Sequence, residues 1–96
     1  MRLTPHEQSV IKAASLRHFD APVRLFGSRL NDAKRGGDID LYIESAFKGD
    51  AAFARELAMT ADIWSAIGER KIDIVISDGT HLLPIHKRAR AEGVWL

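Results

Sequence analysis

Three aspartates interrupt apolar runs of the sequence, where a strand that only packs into a core has no use for a carboxylate. Asp38 and Asp40 open the run DIDLYIE, and Asp73 interrupts the run KIDIVIS. Because successive side chains of a strand point to opposite faces, Asp38 and Asp40 share a face and stand about 6.5 to 7 Å apart. Ile39 and Leu41 then point the other way, into the predicted core. The pattern indicates a carboxylate pair that a ligand can reach.

Paired carboxylates of this kind suit a divalent cation. Each raises the pKa of the other unless a cation lies between them, and magnesium typically takes one or two protein carboxylates together with water and substrate phosphates. Asp73 would be costly to bury unpaired, so it joins the pair if its strand neighbours the second strand. Asp38, Asp40 and Asp73 are therefore the predicted metal ligands and catalytic residues, able to hold two metal ions roughly 4 Å apart.

A second motif, Gly-Ser at the end of an apolar run, is followed by a basic loop. Gly27 lets the backbone approach a ligand closely, and the amides that follow can donate to phosphate oxygens. The Ser28 hydroxyl adds a donor, and Arg29, Lys34 and Arg35 can neutralise the charge of a triphosphate. Gly27, Ser28 and Arg29 are the predicted nucleotide-binding residues.

Alternating short apolar runs and helical patterns predict the elements that must position these residues. The capping-box spacing of Thr4 and Glu7, with Pro5 between them, opens the first helix. Gly68 ends a second helix and Gly93 a third. The predicted order is helix 5–19, strand 23–26, strand 38–44, helix 51–67, strand 71–77 and helix 83–92.

The apolar residues of the second helix recur at the helical period and are predicted to face a sheet. These residues are Phe53, Leu57, Ala61 and Trp64. The order α, β, β, α, β, α predicts an α+β fold, a small mixed β-sheet packed with helices on at least one face.

Length and composition narrow the class of protein. The chain has 96 residues, 46% of them hydrophobic, and a formal net charge of +1, which predicts one domain over residues 1–96. No apolar run approaches the roughly 20 residues of a membrane span, and the start MRLTPHEQ lacks an apolar signal region, so a cytoplasmic protein without a membrane partner is expected. The absence of cysteine excludes disulfides and thiol catalysis.

Two features near the C-terminus have alternative interpretations. The basic residues 86–88 and Arg90 form a patch on the last helix. Because no aromatic residues accompany it, a solvated helix face is favoured over a nucleic-acid contact, and nucleic acid is not expected as a partner. Trp95 and Leu96 are either a closing core contact or an exposed apolar patch for a partner.

The combination of Gly-Ser, Asp-x-Asp and a distal aspartate resembles the signature of the DNA polymerase beta-like nucleotidyltransferase superfamily. It is most similar to the minimal nucleotidyltransferase branch, and the resemblance extends from the first strand through KIDIVI to the final ARAEGVWL. Many members of that family have a serine directly before Asp-x-Asp, whereas this chain has Gly36 and Gly37 there.

The resemblance implies a palm-like nucleotidyltransferase fold and a role for each motif residue. It implies that Gly27 and Ser28 bind the nucleotide phosphates and that Asp38 and Asp40 bind metal. It also implies that Asp73 completes the catalytic triad and helps to deprotonate the acceptor.

The resemblance further implies a substrate and a partner. Members of this branch are commonly paired with a HEPN-domain toxin, and the nucleotidyltransferase is the antitoxin that attaches AMP from ATP to the toxin. The expected reaction is in-line attack of an acceptor hydroxyl on the α-phosphorus of ATP, with two magnesium ions as cofactors. Two alternatives stay open: an antitoxin that masks the toxin stoichiometrically without catalysis, and a nucleotidyltransferase with a small-molecule or RNA acceptor.

Overall fold

The computed structural model describes residues 3–27 and 38–96, which form helices and a four-stranded mixed sheet. This α+β architecture confirms the predicted fold class and the predicted order of elements, and adds one short strand at the C-terminus. None of the helices in the described residues is long and apolar enough to cross a membrane. The elements are α1 (Pro5–Phe19), β1 (Arg24–Phe26), β2 (Ile39–Glu44), α2 (Gly49–Ile67), β3 (Ile72–Ser77), α3 (Pro84–Glu92) and β4 (Val94–Trp95).

The first helix begins at the predicted capping box. The N–H of Glu7 donates to the Thr4 hydroxyl at 3.1 Å, and the Glu7 carboxylate accepts from the Thr4 N–H at 2.8 Å. Two backbone donors that lack partners inside the helix are thereby satisfied. The helix ends at Asp20, whose left-handed backbone (φ 52°) directs its N–H to the Leu16 carbonyl.

The sheet has the strand order β3-β2-β1-β4. Strand β2 pairs antiparallel with β1 and parallel with β3, and β4 pairs antiparallel with β1. A parallel pair requires a crossover connection, which α2 supplies between β2 and β3. Strand β2 is therefore central, and β3 lies at one margin of the sheet.

Helices α1 and α2 cover one face of the sheet. Ile11 of α1 and Ile63 of α2 are fully buried against Ile39 and Leu41 of β2. The expectation that Ile39 and Leu41 point into the core is confirmed. Full burial of such side chains supplies about 1.5 to 3 kcal/mol each, so this face is the main source of stability.

Helix α3 covers the opposite face, the one that also carries Asp40. Phe26, Tyr42 and Ala89 form a smaller buried cluster there. The ring centroids of His86 and Tyr42 lie 5.9 Å apart. The Nδ1 atom of His86 accepts a hydrogen bond from the N–H of Leu83, the residue directly before α3. Strand β2 is thus packed on both faces, which holds its side chains in fixed positions.

The predicted inward face of α2 is wrong. Met59 and Ile63 are fully buried, whereas the side chains of Phe53 and Leu57 are 59% and 56% exposed. Trp64 is also at the surface, with its indole N–H donating to the Arg70 carbonyl. The residues that were predicted to face the sheet and are instead exposed are Phe53, Leu57, Ala61 and Trp64.

Polar contacts with α1 account for this rotation of α2. Asp62 forms an ion pair with Arg17 and lies 2.9 Å from the Nε2 of His18, and the Arg55 guanidinium donates to the His18 carbonyl at 2.8 Å. These bonds require the side of α2 that carries Arg55 and Asp62 to turn toward α1, which places Met59 over the sheet. The helix has two apolar stripes, and the polar contacts decide which one is buried.

The last residues complete the sheet, and their contacts show which of them is a core contact and which is exposed. The Leu96 N–H donates to the Val23 carbonyl at 3.0 Å, and the Leu96 side chain packs against the core. Trp95 is 54% exposed, and the Arg24 guanidinium lies 4.0 Å from its ring centroid. Leu96 is therefore the closing core contact, and Trp95 is a surface residue in a cation–π contact.

Candidate active site

Asp40 and Asp73 lie side by side on neighbouring strands. The parallel register of β2 and β3 pairs these two residues directly. Side chains at paired positions of adjacent strands point to the same face, so both carboxylates are on the face covered by α3. The third strand neighbours the second, which is the condition set for Asp73 to join the pair, and Asp73 lies beside Asp40.

Asp38 stands just before β2 and has a different neighbour. Its carboxylate lies 3.3 Å from the Nζ of Lys71, which stands just before β3. In residues 3–27 and 38–96, no three His, Cys, Asp or Glu side chains are grouped so that they could hold a metal ion. The structure therefore brings Asp40 and Asp73 together, and the metal site of three carboxylates stays a prediction.

Electrostatics distinguish the Asp40 carboxylate. Burial raises its pKa above the ordinary value, and the negative charges of Asp73 and Asp38 raise it further, while Arg88 acts in the opposite direction. Burial and the charge of Asp73 likewise raise the pKa of Glu56. Like charges gathered in this way favour binding of a cation.

Gly27 lets the Asp40 carboxylate lie against its backbone. It follows β1 directly, and its backbone has φ 79°, a conformation that favours glycine. The β1–β2 register pairs Phe26 with Asp40, and a Cβ atom on Gly27 would collide with the Asp40 carboxylate. Two independent constraints thus require glycine at this position. The other predicted phosphate-binding residues lie outside the described residues: Ser28, Arg29, Lys34 and Arg35.

A cleft of about 470 Å³ opens at the carboxylate pair. It is lined by Gly27, by Asp40, and by four consecutive β3 residues, 72–75. Because consecutive strand residues face opposite sides of a sheet, a cleft that touches all four must reach around the outer margin of β3. The cleft is therefore open to a ligand that approaches from beyond the sheet.

Two charged residues of the cleft are absent from the sequence-based prediction. Glu56 of α2 and Arg88 of α3 both line it, and Arg88 is the only cation among the described lining residues. The sequence pattern places Arg88 in a solvated basic patch. The signal that could identify Arg88 is its position three residues after Ile85, which also lines the cleft. That spacing is informative only once α3 is known to cross this face of the sheet.

The cleft thus combines two adjacent carboxylates, a glycine whose backbone lies against one of them, and an arginine. Hard oxygen donors in this number suit magnesium, which completes its shell with water and phosphate oxygens, and the residues present fit such an ion. No protein-family model and no curated protein matches the sequence.

Proposed function

We propose that this chain is a magnesium-dependent nucleotidyltransferase that transfers AMP from ATP to a hydroxyl group of a partner protein. The observation that carries the proposal is the direct pairing of Asp40 with Asp73 next to Gly27. Following the resemblance of the motif, the partner is a HEPN-domain toxin, and the chain acts as its antitoxin in the cytoplasm.

Each site residue has a part in this reaction. Asp40 and Asp73, together with Asp38, would hold magnesium, and Gly27, which has no side chain, would let the backbone approach the phosphates. When bound, magnesium neutralises phosphate charge and lowers the pKa of the attacking hydroxyl. The acceptor oxygen bonds to the α-phosphorus, the bond from that phosphorus to the bridging oxygen breaks, and pyrophosphate leaves. Asp73 accepts the proton of the acceptor hydroxyl.

The shape of the cleft supports an acceptor on another protein. Strand β3 is the last strand of the sheet, and the cleft extends around it through residues 72–75. No second domain in the described residues provides a pocket for a small acceptor molecule. A hydroxyl on the surface of a partner can approach Asp73 from this open side.

The test uses ATP labelled at either the α- or the γ-phosphate. The chain, magnesium and the protein encoded beside it are incubated with each label. We expect the partner to be labelled only by α-labelled ATP and labelling to be lost in Asp40→Asn. Glu44→Gln is the matched control because Glu44 lies on the same strand and face but is paired with Arg90.

Other outcomes would contradict the proposal in distinct ways. Label from the γ-phosphate would indicate a kinase. Transfer that persists in Asp40→Asn at the rate of Glu44→Gln would exclude the carboxylate pair from the reaction. Label on RNA or on a small molecule, with none on the partner, would preserve nucleotidyl transfer but overturn the protein acceptor.

A second candidate function, stoichiometric masking of the toxin, is favoured by the surface of α2. Phe53, Leu57 and Trp64 are exposed and share one side of the helix. A large apolar surface of this kind is typical of protein–protein contacts. In this alternative the chain neutralises its partner by covering it.

Neutralisation of the toxin in cells separates the two candidates. If AMP transfer neutralises, Asp40→Asn fails to protect cells, although it still binds the toxin. If masking neutralises, Asp40→Asn protects as well as the wild type, and Leu57→Ser does not. Leu57 is 56% exposed, so its substitution is expected to leave the fold intact.

A further inference from the structure

The cleft contains much more negative than positive charge. Asp40, Asp73 and Glu56 line it together with a single cation among the described lining residues, Arg88. A nucleoside triphosphate and the carboxylates of the site together carry more negative charge than two magnesium ions neutralise, so a cation from the chain is needed to hold the phosphates. Arg88 is positioned to supply that charge.

Arg88 is held on the α3 side of the cleft. It lies three residues after Ile85, on the same side of the helix, and both residues line the cleft. Asp40 and Asp73 line the same cleft. Arg88 therefore borders the space that the carboxylate pair also borders.

A glutamate on the same helix competes for this guanidinium. The Nε of Arg88 lies 3.1 Å from the Glu92 carboxylate, one turn further along α3. Both side chains are more than half exposed, at 59% and 56%. Exposed pairs at this spacing are weak, and the bond to Glu92 uses one of the five N–H donors of a guanidinium.

We propose that Arg88 binds the phosphate chain of the nucleotide and that Glu92 competes with the phosphates for its guanidinium. This inference depends on the proposed function, and it identifies Arg88 as a residue, among those that the structure describes, that favours polyphosphorylated nucleotides. Arginine offers paired donors that match two phosphate oxygens, which lysine does not. A phosphate chain carries more charge than the single exposed carboxylate of Glu92 and displaces it.

The two residues therefore have opposite effects on affinity. Removing the charge of Arg88 weakens nucleotide binding, whereas removing the charge of Glu92 releases the guanidinium and strengthens it. A residue with only a structural role would not produce opposite signs in these two variants. Adenosine, which lacks phosphates, is expected to be insensitive to both.

The experiment is calorimetric titration with magnesium and an ATP analogue whose α–β bridge is a methylene group, so that no transfer occurs. We expect Arg88→Gln to raise the Kd about tenfold, Arg88→Lys to have a smaller effect, and Glu92→Gln to lower the Kd about two- to threefold. Lys87→Gln is the control, because it removes one charge from the same helix at a residue that does not line the cleft.

Three results would contradict the inference, and each of them excludes a different part of it. A Kd for Arg88→Gln equal to that of Lys87→Gln, in a chain that transfers AMP, overturns the role of Arg88 alone. A Glu92→Gln variant that binds more weakly than the wild type overturns the competition. A wild-type chain that does not bind the analogue at all overturns the proposed function together with the inference.

Discussion

Strand β2 has one carboxylate near its beginning and one at its end, on the same face, in opposite electrostatic environments. Asp40 lies beside Asp73, and burial together with like charges raises its pKa. Glu44 accepts a hydrogen bond from Tyr42 at 2.8 Å and lies 2.7 Å from the Nε of Arg90. Burial alone would raise the pKa of Glu44, but these two partners lower it below its ordinary value.

The difference separates the end of the strand whose carboxylate is satisfied within the protein from the end where we expect a ligand. A carboxylate with a guanidinium and a hydroxyl as partners is satisfied within the protein. Two carboxylates side by side are destabilising to the unliganded fold, and perturbed groups of this kind concentrate at functional sites. The Asp40 end is therefore where we expect a cation, and the Glu44 end is where we expect none.

The largest effect that tests this comparison is on catalysis. Asp73→Asn removes a predicted metal ligand and the proton acceptor, and should reduce AMP transfer by about a thousandfold or more, since metal-assisted charge stabilisation contributes several kcal/mol. Glu44→Gln should transfer at nearly the wild-type rate. Initial rates with α-labelled ATP measure both, and equal rates would show that the two ends do not differ in function.

Gly27→Ala should give the next largest effect, on stability. The added Cβ collides with the Asp40 carboxylate and occupies a backbone with positive φ, which together should cost about 1 to 3 kcal/mol. Gly68→Ala is the matched control, because Gly68 also has positive φ but no neighbour within 4 Å of its added Cβ. Urea unfolding measures both variants.

The same substitution can show where the collision occurs. If the excess cost of Gly27→Ala over Gly68→Ala comes from the carboxylate, it should disappear when Asp40→Ala is introduced as well. An excess that persists in the double variant would place the clash elsewhere.

Magnesium should stabilise the folded protein by binding at the Asp40 end of β2. At a concentration several times its Kd, it should raise the free energy of unfolding of the wild type by about 1 kcal/mol and leave that of Asp40→Asn unchanged. Thermal unfolding with added magnesium or with EDTA, at constant ionic strength, measures this. Equal stabilisation of both proteins would mean that the ion does not bind at Asp40.

The smallest effects are two pH dependences of opposite sign. The pKa of Glu44 is lower in the folded than in the unfolded chain, so the stability it contributes is present above the unfolded pKa and lost as pH falls through the folded one. The pKa of Asp40 is higher in the folded chain, so its contribution is present at low pH and lost as pH rises through the folded pKa.

Urea unfolding in EDTA across the acidic range resolves these two contributions. The stability difference between the wild type and Glu44→Gln should increase as pH rises. The difference between the wild type and Asp40→Asn should decrease over the same range. Slopes of the same sign would contradict the assignment of opposite environments to the two ends of β2.

Most of the fold and the central pair of the site follow from local patterns in the sequence. The capping box of Thr4 and Glu7, the apolar runs and the glycines determine the order of elements. Alternation along β2 separates Asp40 from its buried neighbours Ile39 and Leu41. The near-continuous β-branched run of β3 indicates a strand.

The features that the sequence does not predict depend on contacts between distant residues. The buried side of α2 is decided by bonds from Asp62 and Arg55 to α1, whereas the helix itself offers two apolar stripes. Arg88 becomes a cleft residue only because α3 crosses the face that carries Asp40. Strand β4 is two residues long and forms through pairing with β1, so no local period reveals it.

The parallel pairing of β2 with β3 also determines when the site can form during folding. Asp40 and Asp73 are separated in the chain by the whole of α2, and their contact closes a long loop, which is a late and slow event compared with helix formation. A chain that has formed its helices but not this strand pair has one carboxylate without the other. The carboxylate pair is therefore completed only when β3 adds to the sheet.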